Sequence, residues 1–174
     1  MSLPAPVPPD DIERWLADLG LTPSERVVRD GVAAWDVTLD GRRRRDLRVT
    51  VILDPALGCI VWAHLAPPLG DGLRKAYRSL LGWNDEFPLA KFSVADDGRP
   101  ILAVELPARW LDGDELGLAL ARVAGIADRI FDDTRGWLWI GGRMPAGYAE
   151  RDGRSAALIA KYAPRLPELF DPAP

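Results

Sequence analysis

Residue types that build most active sites are scarce in this sequence. Its 174 residues include one cysteine (Cys59), one histidine (His64), one asparagine (Asn84) and no glutamine. A lone cysteine cannot form a disulfide within the chain, and one Cys with one His cannot complete a zinc site without carboxylate ligands. Because no catalytic or cofactor motif is present either, we expect a protein that is not an enzyme and binds no cofactor or metal.

Long apolar segments and an excess of one charge are also missing. No stretch reaches the ~18 apolar residues that cross a bilayer, and the first residues have neither the basic nor the apolar region of a signal peptide. We therefore expect a cytoplasmic protein with no membrane partner. The 22 basic and 26 acidic residues give a net charge of -4, which argues against a general nucleic-acid binder.

Arginine and tryptophan, in contrast, are abundant. Arginine supplies 19 of the 22 basic residues, and the chain has seven tryptophans. Few amides, one cysteine and two methionines fit a thermophilic source, although a GC-rich genome would give the same arginine bias. A length of 174 residues, with 48% hydrophobic and 28% charged residues, fits one soluble globular domain.

Hydrophobic periodicity divides the chain into three parts. Residues 1–9 contain four prolines and predict an extended lead-in. Residues 10–133 alternate between helical and strand periodicity and predict the folded domain. Residues 134–174 form a C-terminal extension, which we expect to pack on the domain or on a second subunit.

Capping residues indicate where the helices begin. Asp10 followed by Glu13, and Asp112 followed by Glu115, have the spacing of a capping box. Asp71 precedes a further helical stripe of apolar residues. The helix after Asp112 is predicted to be the longest.

Alternating apolar and polar residues predict a hairpin in the first half of the chain. The apolar residues of its two strands are all odd-numbered, so the loop between them must contain an odd number of residues. A five-residue loop, Asp40 to Arg44, pairs Val37 with Leu47 and Trp35 with Val49.

The next strand, residues 59–65, is apolar on both of its faces. In a two-layer protein helices cover only one face of the sheet. The other face must therefore be hidden by the C-terminal extension of residues 134–174, here called the tail, by a second subunit or by a partner. The segment 137–140 reads as another short apolar strand. The residues predicted to form a partner or dimer surface are Ile60, Trp62, His64, Trp137 and Trp139.

Four consecutive arginines lie at the tip of the predicted hairpin. Their guanidinium groups could bind phosphates or an acidic peptide. A run of charge is also a common way to keep a hairpin tip solvated and unpaired. The residues of the candidate anion contact are Arg42, Arg43, Arg44 and Arg45.

The order of elements, α-β-β-β-α-β-β-α followed by the extension, predicts an α+β two-layer sandwich of an antiparallel sheet with helices. Residues 80–92, LLGWNDEFPLAKF, and 97–107, DGRPILAVELP, resemble the YbjN family, which is described as regulators of bacterial sensory transduction. The resemblance covers residues 10–131 in element order. It implies the fold of type III secretion chaperones, homodimers that bind segments of other proteins, and it carries no catalytic residue.

These observations favour a non-enzymatic, chaperone-like or regulatory protein-binding domain that acts as a homodimer. One alternative is an accessory nucleic-acid or stress-response protein that uses Arg42 to Arg45. Another is a small-molecule-binding enzyme with a site between the sheet and the C-terminal tail, where Trp62, His64 and the tail aromatics would meet.

Overall fold

Helices pack on one face of a six-stranded antiparallel sheet in the computed structural model, which describes residues 6–149 and 151–170. The α+β class predicted from the sequence is confirmed. The strands lie in the order β1-β2-β3-β4-β6-β5. Their bounds are β1 Glu25–Arg29, β2 Val32–Leu39, β3 Leu47–Asp54, β4 Gly58–His64, β5 Lys91–Val94 and β6 Pro100–Leu106. The helices are α1 Pro9–Asp18, α2 Leu73–Glu86, α3 Gly113–Arg129, α4 Phe131–Leu138, α5 Ala156–Tyr162 and α6 Pro167–Phe170.

The sheet has an inner face against the helices and an outer face on the opposite side. Odd-numbered residues of β2, β3 and β4 point inward and are buried. Even-numbered residues of β6 share this inner face because Leu102 pairs with Ala63. The outer face carries Ala34, Thr50, Ile52, Ile60, Trp62, His64, Ile101 and Ala103.

The β2–β3 hairpin differs from its predicted register by two residues. Leu39 pairs with Leu47 and Val37 with Val49, so the loop spans residues 40–46. The predicted odd loop length is confirmed, but the five-residue length is wrong. Whether the number of loop residues is odd or even determines which side chains share a face. The number itself depends on contacts between the loop and other parts of the chain.

The longest helix, α3, begins as predicted, directly after the capping residue Asp112. The Asp112 side chain accepts hydrogen bonds from the backbone N–H groups of Asp114 and Glu115. Gly117 and Gly125 lie further along α3, where an added Cβ would approach the rings of Tyr162 and Phe170 to 2.5 and 2.6 Å. These glycines therefore allow the tail aromatics to lie directly against the helix backbone.

Other predicted helix starts are wrong. Helix α1 begins at Pro9, inside the predicted lead-in, and Pro8 rather than Asp10 precedes it. A 3-10 turn at residues 70–72 leads into α2, and the Asp71 side chain makes no cap. Residues 1–5 of the predicted lead-in lie outside the described residues.

Two strand predictions are also wrong. The segment 137–140 is not a strand, because residues 131–138 form α4. A strand that the predicted order lacks, β1, precedes β2 across the two-residue turn Asp30–Gly31. All five residues of β1 are exposed, so its sequence has no apolar alternation to reveal it. Among the described residues, no helix is long and apolar enough to cross a membrane.

Candidate functional site

The outer face of the sheet is apolar at its centre. Ile60, Trp62 and His64 alternate along β4 and are half-buried. On the neighbouring strand, Ile101 and Ala103 pair with His64 and Trp62 and are buried. The structure therefore brings three of the five predicted surface residues into one continuous row.

Two polar atoms in this row lack a hydrogen-bond partner. Trp62 Nε1 and His64 Nδ1 are inaccessible to water and bond to no atom among the described residues. The two rings lie 6.2 Å apart. Burial lowers the pKa of His64, and the positive charges of Arg99 and Arg48 lower it further, so the imidazole is neutral at pH 7.

Charged residues at the border of this row are paired within the chain. Asp36 accepts a hydrogen bond from Thr50 Oγ1 at 2.6 Å and binds the Arg48 guanidinium. Burial opposes ionisation of Asp36, but these hydrogen bonds outweigh it and hold its pKa below the usual range. Across the sheet, Lys91 Nζ lies 2.6 Å from Glu105 Oε1. The border thus holds both signs of charge.

The loop of residues 40–46, here called the arginine loop, is anchored by a carboxylate at the end of α3. The backbone N–H groups of Arg42, Arg43 and Arg44 donate to Asp128 at 2.8, 3.1 and 2.7 Å. At Gly41 an added Cβ would lie 2.2 Å from Asp128 Oδ1. The anion that this loop binds in the structure is therefore a side chain of the same protein.

The Arg43 side chain is bound to α4. Its Nη2 donates to Asp132 Oδ1 at 2.7 Å, and its guanidinium lies 5.1 Å from the centre of the Phe131 ring. The hydrogen bond from Arg43 is the main cause that lowers the pKa of Asp132. Asp132 occupies the first turn of α4, where the helix dipole favours a negative charge.

The neighbouring arginines donate to backbone oxygens. Arg44 reaches the carbonyls of Arg45 and Leu65 at 2.8 and 3.3 Å, and burial lowers its pKa. Arg45 donates to the carbonyl of Arg151 at 2.6 Å. Arg42 is the most exposed of the four, with Nε 4.0 Å from Asp152. All four guanidiniums that could contact a phosphate thus already lie near oxygen atoms of the protein itself.

The tail covers the arginine loop from the other side. Tyr148 donates its hydroxyl proton to the Arg43 carbonyl at 2.6 Å. Ser155 Oγ accepts the backbone N–H of Asp40 at 3.0 Å, and the Arg154 guanidinium binds the buried Asp40 carboxylate. The arginine loop and the tail, which the sequence shows as separate features, form one hydrogen-bonded unit.

The tail tryptophans belong to the helical side of the molecule. Trp137 packs against Trp83, whose ring also contacts the inner-face residue Phe92. Trp139 packs edge-on against Tyr148. The structure does not bring Trp137 and Trp139 to the row of Ile60, Trp62 and His64, so a site joining His64 to the tail aromatics is not assembled.

The lone cysteine is a core residue. Cys59 is buried on the inner face, and burial raises its pKa to about 12, which keeps the thiol protonated and unreactive. In the part of the chain that the structure describes, no three His, Cys, Asp or Glu side chains cluster closely enough to hold a metal ion.

Comparison with models of known protein families identifies the folded domain. The family model YbjN, described as putative bacterial sensory transduction regulator, matches residues 8–135. It therefore spans the sheet, α1 to α3 and the beginning of α4, and ends before the part of the tail that binds the arginine loop. No curated protein matches the chain.

Proposed function

The chain belongs to the YbjN family, and we propose that it acts as a non-enzymatic, chaperone-like regulatory domain that binds other proteins as a homodimer. The family description supports a regulatory role. The docking surface in this proposal is the outer face of the sheet, centred on Ile60, Trp62 and His64.

The unpartnered Trp62 Nε1 supports this proposal most directly. A buried N–H group without an acceptor costs about 1–3 kcal/mol, and the large majority of buried polar groups in native proteins have a partner. An extended segment of another protein presents both apolar side chains and carbonyl oxygens. Such a segment could cover the row, and a rotation of the half-buried Trp62 ring on docking would bring Nε1, which is inaccessible in the free chain, to one of these carbonyl oxygens.

The charges of the molecule favour a protein partner over a nucleic acid. The border of the row carries the pairs Asp36–Arg48 and Lys91–Glu105, so it presents no basic surface to a phosphate backbone. The arginine loop is on another part of the molecule, where its backbone groups bind Asp128.

A site-specific photocrosslinker tests the docking surface. Placed at position 60 of the full chain in the source cell, it should capture a defined set of proteins. At position 81, an exposed leucine of α2, the same group serves as the control. Ile60→Lys, which faces Glu105 across the β4–β6 ladder, should reduce binding of the captured proteins at least tenfold, whereas Leu81→Lys should not. Identical captures at both positions would contradict the proposal.

A further inference from the structure

The two edges of the sheet differ in how their backbone groups are satisfied. Strand β5 forms one edge, and there the Asn84 side chain bonds both the N–H and the C=O of Phe92, at 2.7 and 3.1 Å. Strand β1 forms the other edge, and all five of its residues are exposed.

The backbone of β1 has its free groups at Arg26 and Val28. Asp30 and Gly31 both have positive φ, 52° and 81°, as in a type I′ hairpin turn. Such a turn is closed by a hydrogen-bonded pair, here Arg29 and Val32, and the bonded pairs then alternate along the ladder. The N–H and C=O groups of Arg26 and Val28 therefore point away from the sheet. No described side chain or backbone group bonds to them.

We infer that β1 pairs antiparallel with β1 of a second copy around a two-fold axis at Val27. In this register Arg26 and Val28 of one copy exchange backbone hydrogen bonds with Val28 and Arg26 of the other. Glu25 of each copy faces Arg29 of the other, which gives two symmetric ion pairs. The five-residue sequence Glu-Arg-Val-Val-Arg is thus complementary to itself.

The remaining charge on this strand is already neutralised. Arg26 Nε lies 2.8 Å from Glu13 Oε1 of α1, so two copies do not bring unpaired arginines together. Val27 is 47% exposed and lies on the outer face, because it pairs with Ala34. Its contact with Val27 of the second copy would extend the outer face without interruption across both sheets. The inference rests on the homodimer of the proposed function and assigns it an interface.

Light scattering on the full chain tests this pairing. The wild type should have twice the 19.1 kDa mass of the chain at micromolar concentration. Val28→Pro removes only an outward N–H, so the fold should persist while the mass falls to that of a monomer. Circular dichroism checks that the variant stays folded.

Charge reversal on β1 gives a second test of the pairing that does not depend on the Val28→Pro substitution. Glu25→Arg or Arg29→Glu alone should give monomers, because like charges then face each other across the two-fold axis. An equimolar mixture of these two variants should recover the dimer, because each copy then faces an opposite charge at both positions. Recovery in the mixture can come only from contact between copies.

Each alternative outcome overturns a different claim. A dimer that survives Val28→Pro and both charge reversals but is lost with Ile60→Lys would overturn the β1 interface and leave the homodimer in place. A wild type that is monomeric throughout would overturn the homodimer as well. Crosslinking at position 60 is an independent measurement, so it tests the proposed protein binding separately from the β1 interface.

Discussion

At the scale of single residues, Asn84 protects an edge of the sheet. It is the one asparagine of the chain, and its amide matches both outward groups of Phe92, an arrangement that a backbone strand would otherwise make. Edge strands with free backbone groups promote association between chains. Asn84 thus binds the outward backbone groups of Phe92 on β5, whereas no described group binds those of Arg26 and Val28 on β1.

We predict that Asn84→Ala lowers the free energy of unfolding by about 1–3 kcal/mol, because two hydrogen bonds are lost and each contributes about 0.5–1.5 kcal/mol. A urea titration followed by circular dichroism measures this change. Lys75→Ala, also an exposed position of α2, is the matched control and should leave the midpoint unchanged. Equal midpoints for both variants would show that the amide contributes nothing.

Asp40 links the arginine loop to acid stability. Burial opposes its ionisation, but hydrogen bonds from Arg154 and from the Asp46 backbone outweigh burial and hold the pKa of Asp40 below its usual range. A carboxylate with a lowered pKa in the folded state contributes stability above its unfolded pKa. That contribution disappears as the pH falls through the folded pKa.

We therefore expect Asp40→Asn to destabilise the protein at pH 7, by about 1.5–3 kcal/mol for a charged hydrogen bond, and to make stability less dependent on pH below ~4. Urea titrations at pH 7 and at several acidic pH values measure both effects. Asp18→Asn changes an exposed carboxylate of α1 and should follow the wild type. Parallel pH curves for wild type and Asp40→Asn would refute this role.

At the scale of elements, α3 depends on its glycines to receive the tail. An added Cβ at Gly117 would lie 2.2 Å from the Tyr162 hydroxyl oxygen. Tyr162 is buried, and its hydroxyl lies 3.1 Å from Asp114, so it cannot move aside without losing both packing and a hydrogen bond.

We predict that the effect of Gly117→Ala changes sign with its neighbour. In the wild type the substitution should destabilise by about 1–3 kcal/mol through overpacking. In a Tyr162→Ala background it should stabilise by up to about 1 kcal/mol, the usual gain in helix propensity. Gly82→Ala in α2, where no atom lies within 4 Å of the added carbon, should stabilise in either background. A destabilising Gly117→Ala in both backgrounds would be evidence against the contact.

The elements also show which parts of the structure the sequence could predict. The parity of Val37 and Val49 correctly placed both on the inner face, because side-chain alternation is local. The Asp112 cap was predictable for the same reason. The segment 137–140 was not, because four consecutive apolar residues fit a strand or one turn of a helix equally well.

At the scale of the whole molecule, contacts between residues far apart in sequence determine features that hydrophobic periodicity does not predict. The loop length between β2 and β3 follows from Asp128, and the environment of Arg43 follows from Asp132 and Tyr148. These pairs lie 85 to 105 residues apart. The apolar outer row, in contrast, was visible in the sequence, because Ile60 and Trp62 belong to a single strand.

The hydrogen bonds between the arginine loop and the tail also have a consequence for folding during synthesis on the ribosome. Asp40 and Ser155, which share a hydrogen bond, are 115 residues apart. At ~5–20 residues per second, translation needs roughly 6–23 seconds to pass from the loop to its partner in the tail. During that interval the sheet can begin to form while the arginine loop is still in water. Completion of the loop therefore has to wait until Ser155 and its neighbours in the tail have been synthesised.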